Sequence, residues 1–413
     1  MLYRQEAGKM VAVLTRIFGP GNLEMAEDVV QQTFIDAIRV WKEKEVPSNP
    51  PGWLFRVAKN KAIDVIRRNR HSVQFDFNDT DRKLLTSEYT LEAAMENFWN
   101  EEDIKDDQLR MMFTCCHSGI SQISQVTLIL KTLCGFTIPE ISKAFLTPED
   151  TISKRLYRSK EFLRDQKMPF IIPSGNELKS RTRTVLNSIY LLFNEGYNST
   201  DAQQLIRKDL IQEAMMLGRM LTENKFTQLP ETFALMALMY FHASRIDSRL
   251  TAEGEIILLP FQDRTKWNRE LISLGNVFMN KAATGNEISS YHLEAAIAYE
   301  HATADTFDNT NWKQILEYYD LLIGLSSSPV VELNRAVAVL YTLGPEAALK
   351  AVEEISHHAK LKSFYLYYSL LGEIYARLNQ QKKSEDFFRL AIEQTTSEIE
   401  KKLLQGKIAA MYN

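Results

Sequence analysis

Two helix-start signals ten residues apart constrain this chain more than any other feature. Thr137-Ile138-Pro139-Glu140 reads as a capping box, with Thr137 as N-cap and Glu140 as its reciprocal partner. Thr147-Pro148-Glu149-Asp150 starts a second helix: Thr147 caps, Pro148 takes the first helical position and two acids meet the helix dipole. The first helix ends at Phe145, so only Leu146 and its neighbours are left for the turn. Two short helices joined this tightly read as a helix-turn-helix. On the second, Ile152, Leu156, Ser159 and Leu163 share an arc of about 60°. Lys154, Tyr157 and Arg158 lie opposite, with Thr151 and Arg155 beside them. Long donors on one helical face suit a major groove. The same geometry occurs in helical domains that never touch DNA, and the basic outer face favours the DNA reading.

A second helix carries the same division. Residues 51–70, PGWLFRVAKNKAIDVIRRNR, open on a Pro-Gly loop and run on without a breaker. Leu54, Ala58, Ala62 and Val65 share a narrow apolar arc. Arg56, Lys59, Arg67 and Arg70 fall on the far side, flanked by Trp53 and Asn60. One face suits a core and the other suits phosphate, with an aromatic at the rim to stack on an unpaired base. A merely solvated surface helix is the plain alternative.

Formal net charge is −4, which says nothing about nucleic acid, but the distribution does. Residues 53–70 hold six basic side chains against Asp64. Residues 76–107 hold eleven acidic side chains against three basic ones, and 151–164 hold five basic side chains against Glu161. The acidic stretch reads as a linker that packs weakly; it either mimics nucleic acid in a partner's basic channel or is simply solvated. Upstream, residues 2–18 form a helix closed by Gly19-Pro20-Gly21. Asn22 is expected to cap the next, which runs to about Lys44. Ala26, Val30, Phe34, Ala37 and Trp41 form its buried stripe. Asp28, Gln31, Gln32, Ile35 and Asp36 point elsewhere, and an exposed Ile there suggests a partner surface.

Cys115, Cys116 and Cys134 build no disulfide framework, and with His117 they make a poor metal set, so core packing is expected. No run approaches the ~18 apolar residues of a spanning helix and no signal peptide is visible, so a cytoplasmic protein is expected. Residues 168–178 mark a boundary. The remainder is helical, and Tyr368, Leu371, Gly372, Tyr375, Ser384, Phe388 and Ala391 fit the spacing of a tetratricopeptide repeat. A weaker repeat surrounds Ala338, Ala347 and Ala351. Polar clusters between them, including Glu195, Arg245, Asp263, Arg264 with Trp267, His292 and His301, either line a pocket or brace the hairpins. No catalytic constellation and no cofactor or metal motif is apparent, so no enzyme is expected.

The order of elements resembles a known family. Residues 22–70, with AEDVVQQTF and then PPGWLFRVAKNKAIDVIRRNR, resemble region 2 of bacterial sigma factors, and residues 104–165 resemble region 4. Nothing like region 3 intervenes, as in the extracytoplasmic-function group. FTCCH, LLFNEGY, HASRID, DRTKW, YHLEAAIAYEHA and LNRAVAVLYTLGPEAAL are similar to the subgroup with a tetratricopeptide-like C-terminal extension. Phe261-Gln262-Asp263-Arg264 follows that subgroup only loosely, and the N-terminus begins late. The resemblance implies an all-α chain: region 2 over 1–72, an acidic linker over 73–103, region 4 over 104–167 and the extension over 174–413. It implies binding to core RNA polymerase, at its clamp helices and flap, and to promoter DNA. Asp28, Gln31, Gln32, Ile35 and Asp36 fall on the clamp-docking helix. Trp53, Arg56, Lys59, Asn60, Arg67 and Arg70 fall on the −10 reader. Thr151, Lys154, Arg155, Tyr157 and Arg158 fall on the −35 reader. The extension would contact the sigma domains within the chain, to inhibit or to support them. A helix-turn-helix regulator that works without polymerase and senses a ligand through its tail is the alternative.

Overall fold

The computed structural model describes residues 2–69, 101–145, 147–166, 168, 170–199, 205–326, 328–355, 361 and 364–412. Arg70 and most of the acidic linker lie outside the described residues. The fold is all-α, and among the described residues the nearest thing to a strand is one isolated bridge between Leu250 and Ile256. Packing divides the chain into two compact units, 1–195 with 212–227, and 196–211 with 228–413. The boundary expected at 168–178 is therefore not where the packing divides. The helix after it spends most of its length in the first unit.

The first unit holds α1 (Leu2–Phe18), α2 (Leu23–Glu43), α3 (Pro50–Asn69), α4 (Glu101–Cys115), α5 (Gln122–Thr132), α6 (Ile138–Phe145) and α7 (Glu149–Asp165). It also takes most of α8 (Gly175–Tyr197) and α9 (Lys208–Glu223). Helix α4 starts at Glu101, inside the stretch read as linker. In α1, Met10, Val11, Ala12, Val13, Leu14, Ile17 and Phe18 are all buried. A helix apolar on more than one side must be enclosed, and α1 packs on α2, α3 and α4. Its end is closed by Gly19 at φ +84°, where glycine carries no Cβ penalty. Asn22 does not cap α2. Its amide turns back and donates to the Phe18 carbonyl at 2.7 Å, so it serves the end of α1 instead.

In the second unit, α10 (Pro230–Ala243), α11 (Arg269–Ala282), α12 (Ser290–Thr303), α13 (Trp312–Leu325), α14 (Pro329–Leu343), α15 (Pro345–Glu353), α16 (Tyr365–Arg377), α17 (Gln381–Gln394) and α18 (Glu398–Ala409) follow one another as antiparallel neighbours. Short loops between antiparallel helices produce such an array. The α16/α17 pair approaches closely. Ser384 Oγ donates to the Gly372 carbonyl at 2.7 Å, and the Phe388 ring lies over Gly372. A Cβ at Gly372 would meet that ring at 2.7 Å. Gly372→Ala is expected to destabilise the second unit by about 1–3 kcal/mol, read as a lower denaturant midpoint at unchanged slope. Tyr375 stacks on Phe387, with 5.3 Å between centroids. In the weaker repeat Ala336, Ala338 and Ala348 are buried, while Ala347 is half-buried.

Candidate nucleic-acid interface

The capping box at α6 forms as the sequence requires: Glu140 accepts from the Thr137 N–H at 2.8 Å, and Thr137 Oγ1 accepts from the Glu140 N–H at 3.4 Å. The start of α7 differs from expectation. Pro148 is its N-cap residue, and Thr147 Oγ1 donates back to the Phe145 carbonyl at 3.0 Å. Ser142 Oγ donates to the Thr147 carbonyl at 2.6 Å, so Thr147 serves the turn rather than the helix. Along α7 the buried residues are Ile152, Leu156, Ser159 and Leu163. Lys154, Tyr157 and Arg158 are exposed, while Thr151 and Arg155 are half-buried. Tyr157 keeps 60 % of its surface in water, and a large aromatic held there is available for contact.

On α3, Leu54, Ala58, Ala62, Ile63 and Ile66 are buried, while Val65 is only half so. Asn49 caps this helix, accepting from the Gly52 N–H at 3.0 Å. Arg56, Asn60 and Arg67 are exposed and Lys59 is half-buried. Trp53 is half-buried and tilts against Trp41 at 5.3 Å, so one face of the expected stacking residue already has a partner. On α2, Asp28, Gln31, Gln32 and Ile35 are exposed, and Ile35 and Ile38 keep 50 % and 71 % of their surface in water. Asp36 has a structural task that the sequence did not reveal. It pairs with Lys61 of α3 at 2.7 Å and with Arg39 at 3.3 Å, and the Lys61 hydrogen bond holds its carboxyl below the usual range.

The two cationic helices share one packed body. Lys160 of α7 is bonded to Glu27 of α2, and Arg164 approaches Glu24 at 4.0 Å. The backbone of α7 lies against Gly21, where a Cβ would sit 3.4 Å from Arg164 Cα. The backbone after α5 lies against Gly8 of α1. Arg181 of α8 donates to the Phe113 carbonyl of α4 at 3.0 Å. No side chain in this set was singled out from the sequence as a contact.

Two buried carboxyls lie in the same body. Asp107 is bonded to Arg110 at 2.7 Å and lies 3.5 Å from Arg16, yet burial outweighs both cations and pushes it up to about 7. Burial likewise pushes Glu213 of α9 up to about 7, against the pull of Lys9. A carboxyl with a raised folded pKa holds its proton more tightly folded than unfolded. Its contribution is complete below the ordinary carboxylate range and is lost as pH rises through about 7. Melting of the first unit should therefore shift upward between about pH 8 and about pH 6, by on the order of 1–3 kcal/mol. Asp107→Asn should flatten that slope.

Cys115, Cys116 and Cys134 are buried, and burial pushes the Cys115 thiol up to about 12. His117 Nδ1 accepts from the Gly119 N–H at 3.1 Å, so it shapes the turn after α4. Of the residues proposed for a tail pocket, Arg245 lines a small cavity and Arg264 lies over the Trp267 ring in its wall. Glu195 is buried in the first unit. Asp263 is exposed and caps the next turn, accepting from the Thr265 N–H at 3.0 Å. His292 closes the start of α12 through Ser289, and its Nε2 meets the Ala282 carbonyl at 3.1 Å. A large cleft of about 1290 Å³ opens instead among α13 to α18, lined by Trp312, Tyr341, Arg377 and Lys407 and by none of these residues. No helix among the described residues is long and apolar enough to cross a membrane.

Known families and proteins resemble parts of this sequence. Sigma-70 region 2 matches residues 2–72, and a family of unknown function, DUF6596, matches residues 181–283. An uncharacterized protein of Rhizobium meliloti, R00370, is 32 % identical over 91 % of this chain and 87 % of its own length. The ECF RNA polymerase sigma factor SigW of Bacillus subtilis is 25 % identical over 35 % of this chain and 77 % of its own. The ECF RNA polymerase sigma-E factor of Escherichia coli K12 is 23 % identical over 40 % and 83 %. No solved structure matches. With the cationic helices, these likenesses define a sigma-factor-like protein of transcription initiation. Within that class the chain belongs to the extracytoplasmic-function family of sigma factors, in the subgroup bearing a C-terminal extension.

Proposed function

We propose that this chain binds core RNA polymerase through Asp28, Gln31, Gln32, Ile35 and Asp36 of α2 and directs it to promoters read by two helices. In this reading α3 engages the melted −10 strand through Arg56, Lys59, Asn60 and Arg67, with Trp53 at the rim. The α6/α7 helix-turn-helix reads the −35 duplex through Lys154, Arg155, Tyr157 and Arg158, with Thr151 at its start. The observation that carries the reading is the division of α7: four residues sunk into the core, and Lys154, Tyr157 and Arg158 turned out to water. Bidentate base contacts from such donors are worth about 1–3 kcal/mol each, and phosphate contacts add a salt-dependent term.

Distance adds a mechanism. Two elements centred about 25 base pairs apart are separated by roughly 85 Å of duplex at 3.4 Å per pair. A compact body the size of the first unit has a diameter of only about 45 Å. The packed unit is therefore a storage form in this reading, and α7 must leave α2 before both elements are engaged. In this reading the extension regulates this step through α8, a role supported by the Arg181 bond to the Phe113 carbonyl.

The test is reconstituted run-off transcription with the full-length chain, pure core polymerase and a promoter library. Polymerase-dependent initiation on a defined pair of elements is the expected result. Tight duplex binding that is indifferent to polymerase would favour the helix-turn-helix regulator instead.

A further inference from the structure

Three motifs left unused by that reading, HASRID, DRTKW and YEHA, converge in the second unit. They meet at a cavity of about 20 Å³ lined by His242, Arg245, Trp267, Ala298 and His301 beneath Phe241. This volume accepts one water-sized sphere and no polyatomic oxyanion. Two of its lining polar atoms, Trp267 Nε1 and His301 Nδ1, are buried without a hydrogen-bond partner. A third orphan, Arg264 Nη2, is adjacent: the guanidinium lies 4.5 Å over the Trp267 ring, while its Nη1 donates to the His301 and Ala304 carbonyls at 2.6 and 2.7 Å. Leaving a buried polar atom unsatisfied is unfavourable, so each orphan calls for an occupant.

The chemistry of the orphans selects the occupant. An indole N–H and a guanidinium donate only, and a neutral imidazole nitrogen donates in one of its tautomers. An anion accepts from the indole N–H and from the Nδ1–H tautomer of His301 together and is favoured by the guanidinium charge beside them, whereas a water serves the same two atoms without that gain. Charge points the same way. The charge of Asp305 acts on Arg264, but burial and the charges of Arg245 and Arg269 outweigh it. Arg245 Nε donates to the Tyr197 hydroxyl at 2.7 Å, and Arg249 lies 3.8 Å over the Tyr197 ring, so a phenol rather than an anion faces both. Burial and the neighbouring arginines push His301 down to about 3 and hold His242 well below its usual value. Both rings are therefore neutral at physiological pH, and the cluster's charge resides on its guanidinium groups. Two imidazoles beside three guanidinium groups make a poor metal set, and no group of three metal-ligating side chains occurs among the described residues.

We propose that this cavity binds a single halide-sized anion, held by Trp267 and His301 with Arg245 at its wall and the Arg264 charge behind the Trp267 ring. The experiment uses the full-length chain. Melting of the second unit is followed in sodium chloride, sodium bromide and sodium gluconate at matched ionic strength. A saturable, halide-specific rise is expected, because a ligand that binds only the folded state stabilises it by mass action. Trp267→Phe keeps the ring and removes the N–H, and should abolish that rise. Crystals grown in bromide should show one anomalous peak inside the cavity. Equal melting in gluconate and halide, a halide response kept in full by Trp267→Phe, or a bromide map without that peak would each overturn the site and leave a water there. If Trp267→Phe does not fold, the salt comparison and the bromide map on the unaltered chain decide.

Discussion

Alanine at both Lys154 and Arg158 is expected to reduce transcription from promoters that carry the upstream element by at least about thirtyfold. Each side chain is exposed on the outer face of α7. Loss of one good base or phosphate contact costs about 1–3 kcal/mol, which is roughly five- to 150-fold in occupancy. Folding should be almost unaffected, since exposed substitutions away from caps and ion pairs stay within about ±0.5 kcal/mol. The measurement is run-off transcription on paired templates, one with and one without the upstream element. Loss confined to the first template assigns α7 to that element. Equal loss on both would mean that the two side chains act elsewhere, on polymerase or on the melted strand.

How much of this was legible in the sequence follows from the range of each interaction. Helical periodicity is local, so the buried set of α7 appears as read, and Leu54, Ala58 and Ala62 of α3 do too. Caps are local but ambiguous. Asn22 and Thr147 are good N-cap types that here bond backward, to Phe18 and Phe145, because the turns before α2 and α7 leave carbonyls to satisfy. Pairings between helices are not local at all. Nothing near Asp36 announces Lys61, and nothing near Glu27 announces Lys160. The surroundings of the candidate tail-pocket residues were hidden for the same reason. Its residues are polar and lie in apolar settings, but most of them finish helix ends. Of those five residues only Arg245 lines the small cavity, beside Trp267 and His301, which composition could not distinguish from the rest.

Gly8→Ala should be the most damaging single-methyl change in the first unit. A Cβ at Gly8 would lie 2.0 Å from the Leu133 carbonyl oxygen and 2.8 Å from its carbon. Both partners are backbone, so neither can swing aside as a side chain would, and α1 must part from the end of α5. Overpacking of this kind costs about 1–3 kcal/mol and more where the backbone must shift. The gain in helix propensity from Gly to Ala is only about 0.5–1 kcal/mol, so it does not rescue the variant. A fall of about 3 kcal/mol in the stability of the first unit is expected from denaturant titration. The functional outcome then separates two roles for this contact. If the packed body is a storage form, loosening α1 from α5 also loosens α7 from α2, and affinity for core polymerase rises while stability falls. If the packed body is itself the working form, stability and polymerase affinity fall together, and the proposal that α7 must leave α2 is wrong.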